Sequence, residues 1–332
     1  MSPVTVSHVL NPKRRHRFRK ETQERVLKAA HELGYRPNAA ARAMSTGRFG
    51  VVALLLSTDQ GRSFLPDELL NGIHDAAAEG GFHLNISKLP DAKLTDEGFV
   101  PRILREWMVD GLLINYTDRI PGELIRLVRE NQIPSVWINS KMEADCVRPD
   151  DFSAAREATK RLLDLGHRRI AYADLGHGNA KLAEAHYSAS DRQAGYEAAL
   201  AGAEATGRIV RRERHLCAKE KMPVMCELLT GDERPTAILS YGWVEALTAL
   251  IAAREVGLRV PEDLSIACIA TGHIQDFAGI RLSAVRLPEE QVGSRAGEML
   301  IEKIDRPTTP LPPVALPGRW LDGDTAGPAP FE

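Results

Sequence analysis

The sequence predicts an α/β protein in which two lobes, each built on a doubly wound parallel sheet, follow a small all-α unit rich in basic residues. Three observations carry that prediction. From Val51 onward, short apolar runs of strand character alternate with amphipathic helical segments, the pattern of parallel strands joined by crossover helices. The alternation breaks after residue 139 and resumes near residue 153, which implies two similar lobes rather than one sheet. The first 48 residues have a different texture, with eleven Lys and Arg against three acids, Glu21, Glu24 and Glu32. A chain of 332 residues is long for one core and suits two or three domains.

Residues 2–11 read as a short helix. Ser2 is placed to cap it, Pro3 to occupy its first position, and Val6, Val9 and Leu10 to share one face. Val4, Thr5 and His8 fall on the other face. So short a helix needs docking on others. With basic charge around it, it has the thin polar face that entry into a DNA major groove requires. Pro12 stops it, and residues 12–20 form a basic loop, either a solvated charge run or a phosphate-contacting one. Residues 20–33 make an amphipathic helix, with Val26, Leu27, Ala30 and Leu33 inward and Gly34 as its stop. A turn over 35–38 leads into an alanine-rich short helix over 39–44.

Residues 51–56 form a continuous apolar run, as in a buried parallel strand. A helix follows over 66–79, a strand over 83–86, a helix near 96–107, and a strand over 111–115. A helix near 121–131 and a strand over 135–139 complete the first series. The second series has helices over 153–165, 190–202, 222–230 and 244–256. Its strands lie over 169–173, 209–216, 237–240 and 265–269. In such sheets a ligand sits beyond the carboxyl ends of the strands, here between the lobes. The proline-rich stretch after residue 306 is turn-rich, and 323–332 reads as a disordered tail.

Composition narrows the function. A net charge of −2 means that the basic N-terminus is offset by an acidic remainder. Cys146, Cys217, Cys226 and Cys268 show no C-x-x-C or metal-ligand spacing and read as reduced thiols. The absence of a long apolar run or signal peptide argues against membrane insertion or export, and for a cytoplasmic protein. Residues 175–179 contain Gly-x-Gly but lack a third glycine and a downstream acid, so they read as a loop rather than a dinucleotide site. His167 reads as part of a structural turn, with no nucleophile constellation beside it. The reading is of a non-enzyme without cofactor or metal.

Residues 2–11 resemble the recognition helix of the lac/purine repressor (LacI/GalR-type) family of transcriptional regulators. Residues 32–42 resemble the stretch leading into that family's hinge helix. Residues 165–171, 191–196, 254–265 and 282–286 resemble further blocks of the same family, so the resemblance covers essentially residues 1–320. One departure stands out. The family has a first helix and turn before this motif, and Met1 stands where it usually has Val. A start misplaced onto a GTG codon is the favoured explanation; the alternative is that half of the helix-turn-helix is lost.

The resemblance implies a truncated helix-turn-helix and hinge over 1–48. It also implies a periplasmic-binding-protein-like effector and dimerisation domain over 49–322. One lobe would comprise about 50–150 with 285–313, the other about 151–284 with 314–322. DNA contacts would fall to Ser2, Pro3, Val4, Thr5, Ser7, His8, Asn11 and Arg14, with Asn38, Arg42 and Met44 in the hinge. Met44 replaces a leucine that wedges into the minor groove; the plainer reading of the hinge is a linker.

Effector contacts would fall to Asp150, Ser188, Arg192, Trp243 and Thr271. Asp150 reads equally as a helix cap, Arg192 alternatively as a surface ion-pair partner, and Trp243 alternatively as core. Gly242 and Thr271 stand where the family anchors sugar hydroxyls, while Tyr241 and Trp243 suggest an aromatic wall. The expected partners are a near-palindromic double-stranded DNA operator, a second copy of the chain in a homodimer, and a small-molecule effector, either a sugar derivative or an anionic metabolite held by Arg192. The alternative function is a ligand-binding module of repressor ancestry that no longer binds DNA.

Overall fold

The computed structural model describes residues 2–10, 12–35, 47–90, 109–272, 276–277 and 279–330. The hinge helix expected over 39–44 and the helix expected near 96–107 lie outside the described residues. The chain forms two units, residues 1–50 with 108–110, and residues 51–107 with 111–332.

The first unit contains α1 (Pro3–Leu10), α2 (Pro12–Arg15) and α3 (Lys20–Glu32). The Ser2 hydroxyl accepts the Thr5 amide proton at 3.2 Å, so the expected cap is made. Val9 and Val26 are buried, and α1 touches both α2 and α3, which is how so short a helix is held. The expected basic loop opens instead with the single turn of α2. From its end Arg15 reaches back, Nε donating to the Val9 carbonyl at 3.0 Å and satisfying one of the orphan acceptors of α1. Arg19 makes no side-chain cap for α3. The other end closes through Gly34, whose φ of +58° lets its amide reach the His31 carbonyl while the Tyr35 amide reaches Ala30. Leu33 departs from expectation: it is 82% exposed, because it is the C-cap residue and its side chain leaves the face to which Val26 belongs.

The second unit runs β1 (Val51–Ser57), α4 (Asp67–Glu79), β2 (His83–Leu89), β3 (Gly111–Asn115), α5 (Gly122–Glu130), β4 (Ser135–Ile138) and β5 (Cys146–Pro149). It continues with α6 (Asp151–Asp164), β6 (Arg169–Gly178), α7 (Tyr187–Leu200), β7 (Thr206–Arg212), α8 (Ala218–Thr230), β8 (Ala237–Ser240), α9 (Trp243–Glu255) and β9 (Ser265–Ala270). A small hairpin, β10 (Asp276–Phe277) and β11 (Ile280–Arg281), precedes β12 (Ser283–Arg286), α10 (Glu289–Asp305), β13 (Val314–Leu316) and β14 (Arg319–Leu321).

Two six-stranded sheets result. The first has the order β13-β5-β4-β3-β1-β2 and is parallel throughout. The second has the order β14-β12-β9-β8-β6-β7, with only β14 antiparallel. Val52, Leu54, Leu113, Val136 and Ile138 form the first core with Ile73, Val292 and Leu300 of α4 and α10. Fully burying an aliphatic side chain of this kind contributes roughly 1.5–3 kcal/mol. The chain changes lobe after β5, after β12 and after β13. β12 therefore stays with the second lobe and β13 returns to the first, so the expected boundaries after residues 284 and 313 each move a few residues onward. Strand hydrogen bonding places them there: β12 pairs with β9, and β13 with β5.

Two close approaches fix the helices. A Cβ on Gly72 of α4 would lie 2.1 Å from the Glu290 carbonyl, and one on Gly293 of α10 would lie 2.3 Å from that of Leu69. The two helices therefore meet backbone to backbone.

The described tail residues, 323–330, are ordered, contrary to expectation, because buried polar groups of the second lobe hold them. Thr325 Oγ1 donates to the Ile266 carbonyl at 2.7 Å and accepts the Ser283 amide proton at 2.9 Å. His167, fully buried, donates from Nε2 to the Gly327 carbonyl at 3.1 Å, while its Nδ1 lies 3.0 Å from Thr236 Oγ1. Burial pushes the His167 pKa down, so the ring is neutral at pH 7.

Candidate functional site

The two lobes present the carboxyl ends of their strands to a shared cavity of about 950 Å³. The loop after β3 supplies Asp118 and Arg119, and β4 leads into Asn139, whose φ of +53° turns the chain at the cavity edge. From the second lobe come His177 at the end of β6, Ser188 and Arg192 from α7, Tyr241 and Gly242 between β8 and α9, Trp243 at the start of α9, and Thr271 after β9.

Arg192 is buried at the cavity, but its guanidinium is already engaged. Nε donates to Asp151 Oδ1 at 2.7 Å, Nη1 donates to the Tyr241 carbonyl, and the cation lies over the Tyr241 ring, 4.3 Å from its centroid. Burial alone would lower its pKa; the Asp151 carboxylate overrides that and holds the charge. Nε and Nη1 are thus engaged within the protein, and the charge is balanced by Asp151 before any ligand arrives.

Asp150 and Asp151 divide the roles that one residue was expected to fill. Asp150 bends back as the N-cap of α6, accepting from the Ser153 amide at 3.1 Å and the Ser153 hydroxyl at 2.7 Å. Asp151, one position on, points into the cavity wall and is 1% exposed.

A hydrogen-bonded chain crosses from one lobe to the other. His186 Nε2 faces the Asn139 carbonyl at 2.8 Å. A carbonyl only accepts, so Nε2 carries the proton and Nδ1 accepts from the Ser188 hydroxyl at 2.7 Å. Ser188 Oγ then accepts from the Tyr241 hydroxyl at 2.6 Å. Burial pushes the pKa of His186 down and that of Tyr241 up, so both stay neutral and the chain keeps one direction. Across the same join Lys141 donates to Asp191 at 2.8 Å.

Two further cations behind the cavity wall have their own carboxylates. Arg211 pairs with Asp174 at 2.8 Å, and Lys221 with Glu245 at 2.6 Å. Burial works against the Asp174 charge, but the His177 and Arg211 contacts hold its pKa below the usual carboxylate range. His177 also sets its ring edge-on to Tyr241, 4.7 Å between centroids. Glu289, the first residue of α10, lines the cavity and is 5% exposed. Burial, reinforced by Asp151, pushes its pKa from the usual 4.5 up to about 7. The native state therefore binds a proton between those values that the unfolded chain does not, and stability falls as pH rises from about 4.5 to about 7. Glu289→Gln is expected to be neutral near pH 4.5 and stabilising by up to about 3 kcal/mol at pH 8. Urea unfolding at the two pH values measures this; equal differences at both would contradict the assignment.

On the first unit, Val4 is 61% exposed and Ser7 is exposed, while His8 is half-buried. Arg14 is exposed, and its Nη1 lies 3.2 Å from His8 Nε2. Thr5 Oγ1 is 2.9 Å from Ser2 Oγ, so these two hydroxyls are partly occupied by the cap. Pro3 starts α1. Asn11, Asn38, Arg42 and Met44 lie outside the described residues.

Of the residues that the sequence reading assigned to an effector, the structure brings Ser188, Arg192, Trp243 and Thr271 to one cavity. It did not identify Asp151, His177, His186 or Glu289 as cavity residues. The Pro288-Glu289-Glu290 sequence carried a helix-start signal that could have found the last of these. Among the described residues no helix is long and apolar enough to cross a membrane.

Residues 159–326 match the periplasmic binding protein-like domain, and residues 1–38 match the bacterial regulatory proteins of the lacI family. The HTH-type transcriptional repressor PurR of Vibrio atlanticus (strain LGP32) is 29% identical over 309 residues, spanning 92% of this chain and 89% of the relative. Among solved structures, the transcriptional regulator CelR–cellobiose complex aligns with a TM-score of 0.67 at 24% identity, covering 98% of this chain and 96% of that one. The Lac repressor dimer bound to operator and the anti-inducer ONPF aligns with a TM-score of 0.75 at 20% identity over the same shares. These two likenesses show the fold.

Proposed function

The chain belongs to the lacI family of bacterial regulatory proteins, and from that premise we propose that it is a repressor that binds a near-palindromic operator as a dimer and is controlled by a small molecule held between its lobes. The observation that carries this reading is the cavity of about 950 Å³ lined by both lobes, in a chain whose first helix leaves Val4 and Ser7 exposed beside Arg14. The relatives support it by what their names state: a transcriptional repressor, a regulator holding cellobiose, and a dimer on operator DNA.

Ser188, Arg192, Trp243 and Thr271 bound the effector, with Arg192 and Ser188 acting mainly as a braced wall. A ligand that touches both lobes favours one arrangement of the Asn139–His186 join over another. That difference in affinity is all that is needed to shift the DNA-binding population.

The test is selection from random duplex DNA, followed by gel shift of the enriched sites. Enrichment of a two-fold-related sequence bound by a dimer is expected; uniform binding to all sequences would overturn the reading. On the enriched site, His8→Ala is expected to change preference at one or two base positions by roughly tenfold or more. Arg14→Ala is expected to weaken every sequence and reduce the salt dependence by about one counterion. Because Arg14 is hydrogen-bonded to His8, the double variant should cost less than the two single changes combined.

A further inference from the structure

The cavity holds one buried group that the protein itself leaves without a counter-charge. Glu289 is more than nine-tenths buried, and its carboxyl makes no hydrogen bond within the described structure. It cannot swing away as a unit, because α10 is locked to α4 by the backbone contacts at Gly72 and Gly293. The charged groups facing it are Asp151 from α6, Arg192 from α7 and Glu68 from α4. Asp151 and Arg192 are paired with each other at 2.7 Å, and Glu68 receives Arg286 at 3.3 Å. The neighbouring cations are thus committed to other carboxylates. The amino end of α10 favours negative charge at Glu289, yet burial outweighs it and pushes its pKa up to about 7.

Three ligand chemistries can be compared at this position. An anion at Glu289 would meet the carboxyls of Glu289, Asp151 and Glu68, beside an Arg192 whose charge is already balanced by Asp151. A neutral hydroxyl would leave the ionised form of Glu289 buried and uncompensated. A protonated amine supplies both the missing charge and the missing N–H donors, the strongest class of hydrogen bond available there. Trp243 and Phe64 line the same cavity, offering aromatic surface to the body of such a ligand.

We propose that the effector of this cleft is an amine, cationic at neutral pH, whose nitrogen pairs with the Glu289 carboxylate. The proposal rests on reading the cleft as the effector site. It replaces the anionic metabolite suggested by the sequence, because Asp151 already balances the charge of the arginine that would have held one.

The test uses the full chain and two sets of probes, each an amine, an alcohol and a carboxylate on a common body: D-glucosamine, D-glucose and D-glucuronate, and tryptamine, indole-3-ethanol and indole-3-propionate. Binding is measured by titration calorimetry at pH 7 in buffers of different ionisation enthalpy, and operator binding is followed in parallel. In at least one set the amine is expected to bind tenfold or more tighter than its neutral and anionic partners, releasing protons as Glu289 ionises. In Glu289→Gln both the preference and the proton release are expected to vanish. A neutral or anionic probe binding tightest, no amine binding at all, or an unchanged preference in Glu289→Gln would overturn the assignment. If an alcohol or carboxylate binds and alters operator affinity, the amine assignment falls while the effector reading stands. If no probe binds and none alters operator affinity, both fall.

Discussion

Arg192→Ala is expected to destabilise the second unit by about 3–5 kcal/mol, the usual cost of leaving one member of a buried ion pair alone. Asp151 is 1% exposed and accepts from Arg192 Nε at 2.7 Å, so removing the guanidinium leaves a buried carboxylate without its counter-charge. The same truncation frees the Tyr241 carbonyl and removes the cation from over the Tyr241 ring. Urea unfolding measures the loss. The double variant Asp151→Leu with Arg192→Met should recover most of it, since an apolar pair of similar volume avoids the desolvation of both charges. A loss under about 1 kcal/mol in Arg192→Ala would show that the pair is not the brace described above.

Gly72→Val is expected to cost more than about 3 kcal/mol, at the upper end for overpacked sites. The first added carbon would stand 2.1 Å from the Glu290 carbonyl oxygen and 2.9 Å from the Ser294 amide nitrogen, both backbone atoms that cannot rotate out of the way. α10 must then separate from α4, carrying Glu289 with it, so cavity binding should fail along with stability. Gly122→Ala is the control: a Cβ there meets nothing within 4 Å, and a change within about 0.5 kcal/mol is expected. Thermal unfolding of the two variants side by side decides the matter; similar midpoints would contradict the close approach.

Much of the fold was legible because most of these strands are buried on both faces and read as unbroken apolar runs. The strands at 111–115 and 237–240 fall where the sequence puts them for that reason. α10 was missed although Val292, Ala296, Met299, Leu300 and Lys303 keep helical spacing and are all buried. Gly293 and Gly297, which let it press against α4, also lower its local helix propensity. The same glycines thus obscured the helix and made its packing possible. The choice between Asp150 and Asp151 could not be read from type or spacing. Capping geometry turns the first back on its own helix and leaves the second to face an arginine 41 positions away. His186 and His177 carry no local signal either; each matters only because β4, β6 and the segment after β8 end at one cavity.

The three lobe crossings bear on how the protein is made. A ribosome delivers β1 through β5 first, but the helix that seals that sheet, α10, and its outer strand, β13, emerge only after β6 through β12 of the second lobe. At about 5–20 residues per second that is a wait on the order of ten seconds. Throughout it the nascent first lobe exposes Leu69, Ile73 and the β5 edge that α10 and β13 will later cover. The second lobe waits in turn for β14 and for the Thr325–Gly327 strap. Neither lobe can close before the last few dozen residues are synthesised, so the two mature together, and a chain cut short anywhere before that point leaves both unfinished.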